Sequence, residues 1–340
     1  MYRPSYAALF TLSKFVLCVL FLAAVAVACY IRPIPDDFDR YIYEAIVRGK
    51  SQPIEVVYNS VKHENPRAES SSILDSPQHL LQLEPMWAVR PVYIAAISLL
   101  SKALPVQKAI NLISAISLFG IGVVVLCWTK QPLFAGLLMA ATPIPLLGRF
   151  GTPDALAALL VISALWILRW NRACALILLF GSLGVRTDDI LILLAVLVWL
   201  VWVRRLPRAT AAVLGSLAVA IVLTINHWAG NYGWVVLFRF SFIGGRYPAQ
   251  LPHVLTFREY VRVLARGTYT ILDQVAVWLL LGILAWKRRQ DPLLIVVGCA
   301  AAAHFLLYPS GEDRYLIWAY IVAGVALIKS FEWRAQLSAS

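Results

Sequence analysis

Residues 10–30 read FTLSKFVLCVLFLAAVAVACY, an almost unbroken apolar run with a single lysine near its start. At a helical rise of about 1.5 Å per residue, a run of ~20 residues spans a hydrocarbon core of about 30 Å. No convincing small-residue cleavage site accompanies it, and Cys29-Tyr30-Ile31-Arg32 reads as a membrane exit, so the segment is expected to be a signal anchor. Further apolar runs follow along the whole chain. Of its 340 residues 61% are apolar and only 14% charged, and 12 are Trp, which excludes an ordinary soluble domain. The expected fold is all-α, a polytopic transmembrane bundle of about 10 spans near residues 10–30, 107–128, 132–148, 154–168, 173–186, 189–203, 209–227, 269–286, 292–308 and 315–330.

Charge placement orients this bundle. With Arg3 and Lys14 holding the amino terminus inside, alternation puts Lys130, Arg169 and Arg172, Arg204, Arg205 and Arg208, Lys287 to Arg289, and Lys329 and Arg334 on the cytoplasmic side. Both termini are then cytoplasmic in a plasma (inner) membrane. The apolar stretch from Pro91 to Leu104 is too short for a full span. Counting it as one would put the Lys287–Arg289 cluster outside, so it is expected to lie along the outer interface as a juxtamembrane helix. The large outer connections are then 31–106 and 227–268.

The net charge of +12 is accounted for by these loops, and no nucleic-acid motif accompanies it. Cys18, Cys29, Cys127, Cys174 and Cys299 all lie in apolar runs without paired loop spacing; they are expected to be small packing residues, neither disulfide-bonded nor zinc-binding.

Acidic and arginine residues gather at the outer junctions. Pro35-Asp36-Asp37-Phe38-Asp39-Arg40-Tyr41 follows the first exit, with Arg40 three residues after Asp37 on one helical face. Arg149-Phe150-Gly151-Thr152-Pro153-Asp154 opens a span, Val185-Arg186-Thr187-Asp188-Asp189 closes the next outer turn, and Glu312-Asp313-Arg314-Tyr315 precedes the last span. Each motif alone can be a helix-start acid or a turn ion pair. Their coincidence on one side, at membrane depth where charge is costly, points to a pocket for an anionic lipid head group and an acceptor hydroxyl that must lose a proton.

At these residues the chain resembles the GT-C superfamily of membrane glycosyltransferases, and most of all the branch with the lipid A aminoarabinose transferases and protein O-mannosyltransferases. The D-E-x-R-Y-like signature of that branch is matched by Asp37-Phe38-Asp39-Arg40-Tyr41, with Phe38 where the family has Glu. Asp36-Asp37 is the alternative acidic pair, so the catalytic base is either Asp37 or Asp36. Arg90-Pro91-Val92-Tyr93 resembles the family's basic opening of a juxtamembrane helix, used on the carrier phosphate, and Asp154 resembles its second outward aspartate. The likeness covers roughly the first 200 residues by motif and the rest by topology.

The resemblance implies transfer of a sugar from a polyprenyl-phosphate carrier to a lipid, glycan or protein acceptor on the extracytoplasmic side. Asp36 or Asp37 takes the acceptor's proton, with Asp154 as a further catalytic carboxylate. Arg40, Arg90, Arg186 and Arg314, with Tyr41, Asp188 and Tyr315, hold the substrates. Some family branches use a divalent cation, although no histidine pair at ligand spacing occurs here. The stretch 227–268, with Trp228, Tyr232, Trp234, Arg239, Arg246, Tyr247, His253 and Arg258, is an aromatic belt or a sugar platform and phosphate clamp; Ser51 to Leu83, containing Ser70-Ser71-Ser72, is an acceptor lid or a linker. Two other readings compete. A lipid or solute transporter or flippase would show an internal repeat and midplane charges, neither of which is evident. A noncatalytic subunit of the same architecture would not need to retain Asp37, Arg40 and Arg90.

Overall fold

The computed structural model describes residues 6–34, 37–64, 75–141, 143–245, 247–287 and 292–339. Asp36, Ser70-Ser71-Ser72, Arg246, Arg288 and Arg289 lie outside the described residues. The described chain is all-helical with no strand.

Helix α1 (Tyr6–Ile31) contains the apolar stretch Leu12–Ile31, long enough to cross a membrane. After it come four shorter helices, α2 (Phe38–Gly49), α3 (Ile54–Glu64), α4 (Pro77–Trp87) and α5 (Pro91–Leu100). α2 is enclosed on nearly all sides from Arg40 to Val47, and its Tyr41, Ile42, Tyr43 and Ala45 form a core of their own with Val57, Leu80, Leu83, Tyr93 and Ile97. This cluster rests on Ala109, Ile110 and Ile113 at the start of α6 (Val106–Thr129). Pro91 begins α5, which turns by 116° from α4 and packs on α2 and α6.

The larger core is built from the remaining helices. α7 (Pro132–Ala140) is followed by a 3-10 turn over Ile144–Gly148, then α8 (Asp154–Ile167), α9 (Arg172–Leu183), α10 (Ile190–Trp202) and α11 (Arg208–Trp228). After the short α12 (Trp234–Phe238) come α13 (Phe257–Leu272), α14 (Val275–Lys287), α15 (Pro292–Leu307) and α16 (Ile317–Ala339). α6 packs on α1 and α8, α8 on α9, α10 on α15 and α14 on α16. Small residues set the spacing: a Cβ at Gly122 would come 2.7 Å from Leu22, and one at Gly324 2.6 Å from Leu138.

Three helical segments are long and apolar enough to cross a membrane, Leu12–Ile31, Val106–Thr129 and Arg208–Trp228, or five if the bent pairs α4–α5 and α13–α14 are each one span. Of the ten expected spans, those at 10–30, 107–128 and 209–227 reach that length, and two others are broken. The 132–148 run ends its α-helix at Ala140, because Pro143 and Pro145 cannot donate backbone hydrogen bonds, and a 3-10 turn replaces the continuation. The 269–286 run straddles a bend of 88°. Its first residues finish α13, an amphipathic helix with a Thr256–Glu259 capping box, and Trp278 Nε1 donates to the free carbonyl of Leu272 at 2.7 Å.

All five cysteines are free thiols. Cys18 and Cys29 are buried against α7 and the 3-10 turn after it, donating to the carbonyls of Pro132 and Pro145, but Cys127, Cys174 and Cys299 are exposed and do not fill the core.

Candidate functional site

The chain leaving α1 crosses the loop before α8 here: Ile34 N–H donates to the Arg149 carbonyl at 3.0 Å, and Arg149 Nε returns a bond to the Arg32 carbonyl at 2.8 Å. This crossing brings Asp37, the N-cap residue of α2, against Gly151, whose N–H donates to Asp37 Oδ2. Asp37 Oδ1 carries no bond among the described residues. The close approach requires glycine, since a Cβ at Gly151 would come 2.7 Å from Arg40 Cβ. Gly151→Ala is therefore expected to lower stability by about 1–3 kcal/mol and to slow any chemistry at Asp37. Thermal unfolding of the purified variant in detergent checks this, and an unchanged midpoint contradicts it.

Asp39 lies two residues on, in the first turn of α2, and has both oxygens engaged, Oδ1 by Trp87 Nε1 at 2.8 Å and Oδ2 by Arg314 Nη1 at 2.9 Å. Arg314 enters from the 3-10 turn before α16, with Nε 2.5 Å from Glu312 and Nη1 3.7 Å from Asp154 Oδ2. Its guanidinium lies over the rings of Phe150 and Tyr315 at 5.4 and 5.0 Å. A cleft of about 570 Å3 opens beside it, lined by Asp37, Phe38, Asp39, Phe150, Glu312 and Arg314 among others.

The two α2 carboxylates are driven apart. Burial, reinforced by the charge of Asp39, raises Asp37 to about 7, against the opposing pull of the Gly151 N–H, Arg314 and Arg40. Burial also acts on Asp39, but Arg314 and Arg90, with hydrogen bonds from Trp87 and Arg314, hold it below the ordinary carboxylate range. Neighbouring carboxylates with divergent affinities for a proton are how one site keeps a fixed charge beside a group that can exchange a proton near neutrality.

Behind the cleft lies a second layer. Asp154, in the first turn of α8, accepts from Thr152 Oγ1 at 2.8 Å and from Arg186 Nη1 at 2.7 Å. Arg186 also donates through Nε and Nη2 to Asp188, and its guanidinium faces the Tyr315 ring at 5.1 Å. His304 of α15 closes the group, with Nε2 2.6 Å from Asp188 Oδ2 and 3.2 Å from Arg186 Nη2, and its ring stacked on Tyr315.

The motif residues from α2, α8, the α9–α10 turn and the turn before α16 thus meet in one linked group. Arg186, Asp188 and Tyr315 belong to the layer behind the cleft and do not line it. Arg90, the N-cap of α5, lies over the Tyr43 ring at 5.6 Å, and its Nη1 is buried with no hydrogen-bond partner among the described residues. Arg40 is buried over the ring of Tyr41, which packs into the α2–α5 core; neither lines the cleft. Of the residues in 227–268, Arg239 is paired to Glu259 at 2.8 Å, Trp234 Nε1 donates to the Leu307 carbonyl, and Trp228 is exposed, so these do not reach the cleft.

Sequence reasoning missed Asp39, Trp87, Phe150, Thr152 and His304 as site residues. Asp39 had a signal, since it follows Asp37 by two residues within the same motif; His304 had none, being a lone polar residue in an apolar run.

Among the described residues no group of three or more His, Cys, Asp or Glu side chains is placed to hold a metal ion. Asp39 and Asp154 each have both oxygens taken by arginine, indole or hydroxyl donors. No protein-family model, curated protein or solved structure matches the chain.

Proposed function

We propose that the chain is a membrane glycosyltransferase of the GT-C type, with about ten helices in the bilayer and both termini cytoplasmic, that moves a sugar from a polyprenyl-phosphate carrier to an acceptor hydroxyl at the extracytoplasmic face. The observation that carries this reading is the pairing, in one cleft, of Asp37, which can exchange a proton near neutrality, with the Arg314 guanidinium.

In this mechanism the acceptor hydroxyl lies against the free Oδ1 of Asp37. Its oxygen forms a bond to the anomeric carbon as the bond from that carbon to the carrier phosphate oxygen breaks, and the hydroxyl proton passes to Asp37. The departing phosphate keeps the electron pair and gains negative charge, which Arg314 in the cleft neutralises, while Arg90 adds positive charge from behind Asp39. Asp39 keeps Arg314 aimed, and the Asp154–Arg186–Asp188–His304 layer holds Arg314 and Tyr315 from behind. The short apolar helices of 10 to 17 residues fit a bundle that stops below the membrane surface and leaves room for a head group.

The test is incubation of purified protein with defined polyprenyl-phosphate sugars and cell-envelope acceptors across a pH series. Because Asp37 must be ionised to accept a proton and its affinity for one is raised, the transfer rate is expected to climb as pH rises through about 7. A rate flat from pH 5 to pH 9 would remove Asp37 as the base.

A further inference from the structure

A groove unrelated to the cleft runs between α10 and α11. It has a volume of about 740 Å3 and is walled by Leu194, Val198, Ala212, Gly215, Ser216 and Leu223 among others, nearly all apolar. α11 is long and apolar enough to cross a membrane, yet only 6% of its most apolar window is buried within the chain, so this face meets something other than protein from its own fold.

At one end the groove runs into an arginine-bearing pocket of about 590 Å3 formed by the α10–α11 connection; Val201 and Arg208 line both. Arg204, Arg205 and Arg208 all line this second pocket and are exposed, and their guanidinium groups have no carboxylate partner among the described residues. The connection has a defined shape: Arg204 adopts a left-handed backbone at φ 56°, the amides of Arg205 and Leu206 fold back onto the Leu200 carbonyl, and Arg172 of α9 donates to the carbonyl of Arg205. Three unpaired positive charges therefore stand at the mouth of a hydrocarbon-lined trough, on the side that the charge pattern of the loops assigns to the cytoplasm.

We infer that this composite groove is a binding site for an anionic membrane phospholipid, its acyl chain along α10 and α11 and its phosphate among Arg204, Arg205 and Arg208. Charge complementarity selects the head group and the apolar wall selects a lipid over a soluble anion. The site lies apart from Asp37, so it stands or falls separately from the transferase reading.

The test is native mass spectrometry of the full chain, purified in detergent and titrated with phosphatidylglycerol or phosphatidylcholine. Wild type is expected to retain phosphatidylglycerol with a preference of roughly tenfold or more, given the attraction of several arginines for an anionic head group. The triple variant R204Q/R205Q/R208Q should lose that preference while keeping its unfolding temperature, and Ala212→Leu with Ser216→Leu, which fills the trough without touching a charge, should weaken binding of both lipids. Preference retained in the triple variant, full binding in the filled variant, or displacement of the lipid by inorganic phosphate alone would each overturn the site. So would a change in oligomeric state of the filled variant with lipid binding intact, which would mean that a second copy of the chain covers the groove.

Discussion

Asp37→Asn is expected to stop transfer and at the same time to stabilise the protein above pH 7. The two effects share one cause. Burial beside Asp39 raises Asp37 to about 7, so below that pH the folded protein holds a proton there that the unfolded chain gives up near pH 4. Between those values the folded state binds more protons, and stability falls as pH rises toward 7. At about 1.4 kcal/mol for each pH unit, ionised Asp37 costs the fold up to several kcal/mol. Asparagine imitates the protonated acid and can still accept the Gly151 N–H, so it removes that cost and also the only form able to accept a proton. A fall in kcat of ~10^2 to 10^4 is expected, with donor binding little changed. The paired measurement is turnover and thermal unfolding at pH 5 and pH 8: the variant should melt higher than wild type at pH 8 and close to it at pH 5. A variant less stable than wild type at pH 8 would show that Asp37 serves the fold as an ordinary ion-pair carboxylate.

Arg186→Met is expected to be the most destabilising single change in the site. Arg186 and Asp154 have side chains only 8% and 5% exposed, and removing one member of such a pair leaves the other charge buried, at a cost of about 3–5 kcal/mol. The contribution through Asp188 is smaller, because that side chain is 38% exposed and its attraction is screened. Lysine should not rescue the position, since it cannot meet Asp154 and Asp188 at once with a planar fork. Arg186→Met combined with Asp154→Leu should lose less stability than Arg186→Met alone, because the second change takes away the stranded charge. Thermal unfolding of both variants in detergent separates these outcomes; a single variant as stable as wild type would mean that Arg186 is free to serve the cleft and is not held by the layer behind it.

Much of the helical pattern can be read from residue order. The runs 107–128 and 209–227 lie within helices that begin and end one residue outside them, because an apolar stretch of that length bounded by proline, lysine and arginine has few other structures open to it. The broken helices were harder. Pro143 and Pro145 sit inside a run whose average apolarity hides them, and at the bend by Asp273 the side chain of Gln274 donates to the Gly311 carbonyl at 2.7 Å, a contact with a segment 37 positions away. The same division holds for the site. Clusters of acid and arginine at Asp37, Asp154, Arg186 and Arg314 stand out as charge in an apolar sequence, but their division of labour does not. Asp39 and Arg314 are 275 positions apart, and only the folded chain makes Asp39 the fixed anion and leaves Asp37 as the group that can exchange a proton. Arg186, attractive as a phosphate ligand from its loop alone, proves to be occupied by two aspartates and a histidine.

The most direct measurement of the glycosyltransferase reading is the fate of a radiolabelled sugar on polyprenyl phosphate, added to membranes that contain native acceptors together with either the wild-type chain or Asp37→Asn. The expected result is label leaving the carrier for an acceptor only with the wild-type chain, with free polyprenyl phosphate released in equal amount. Equal transfer with both proteins would contradict it.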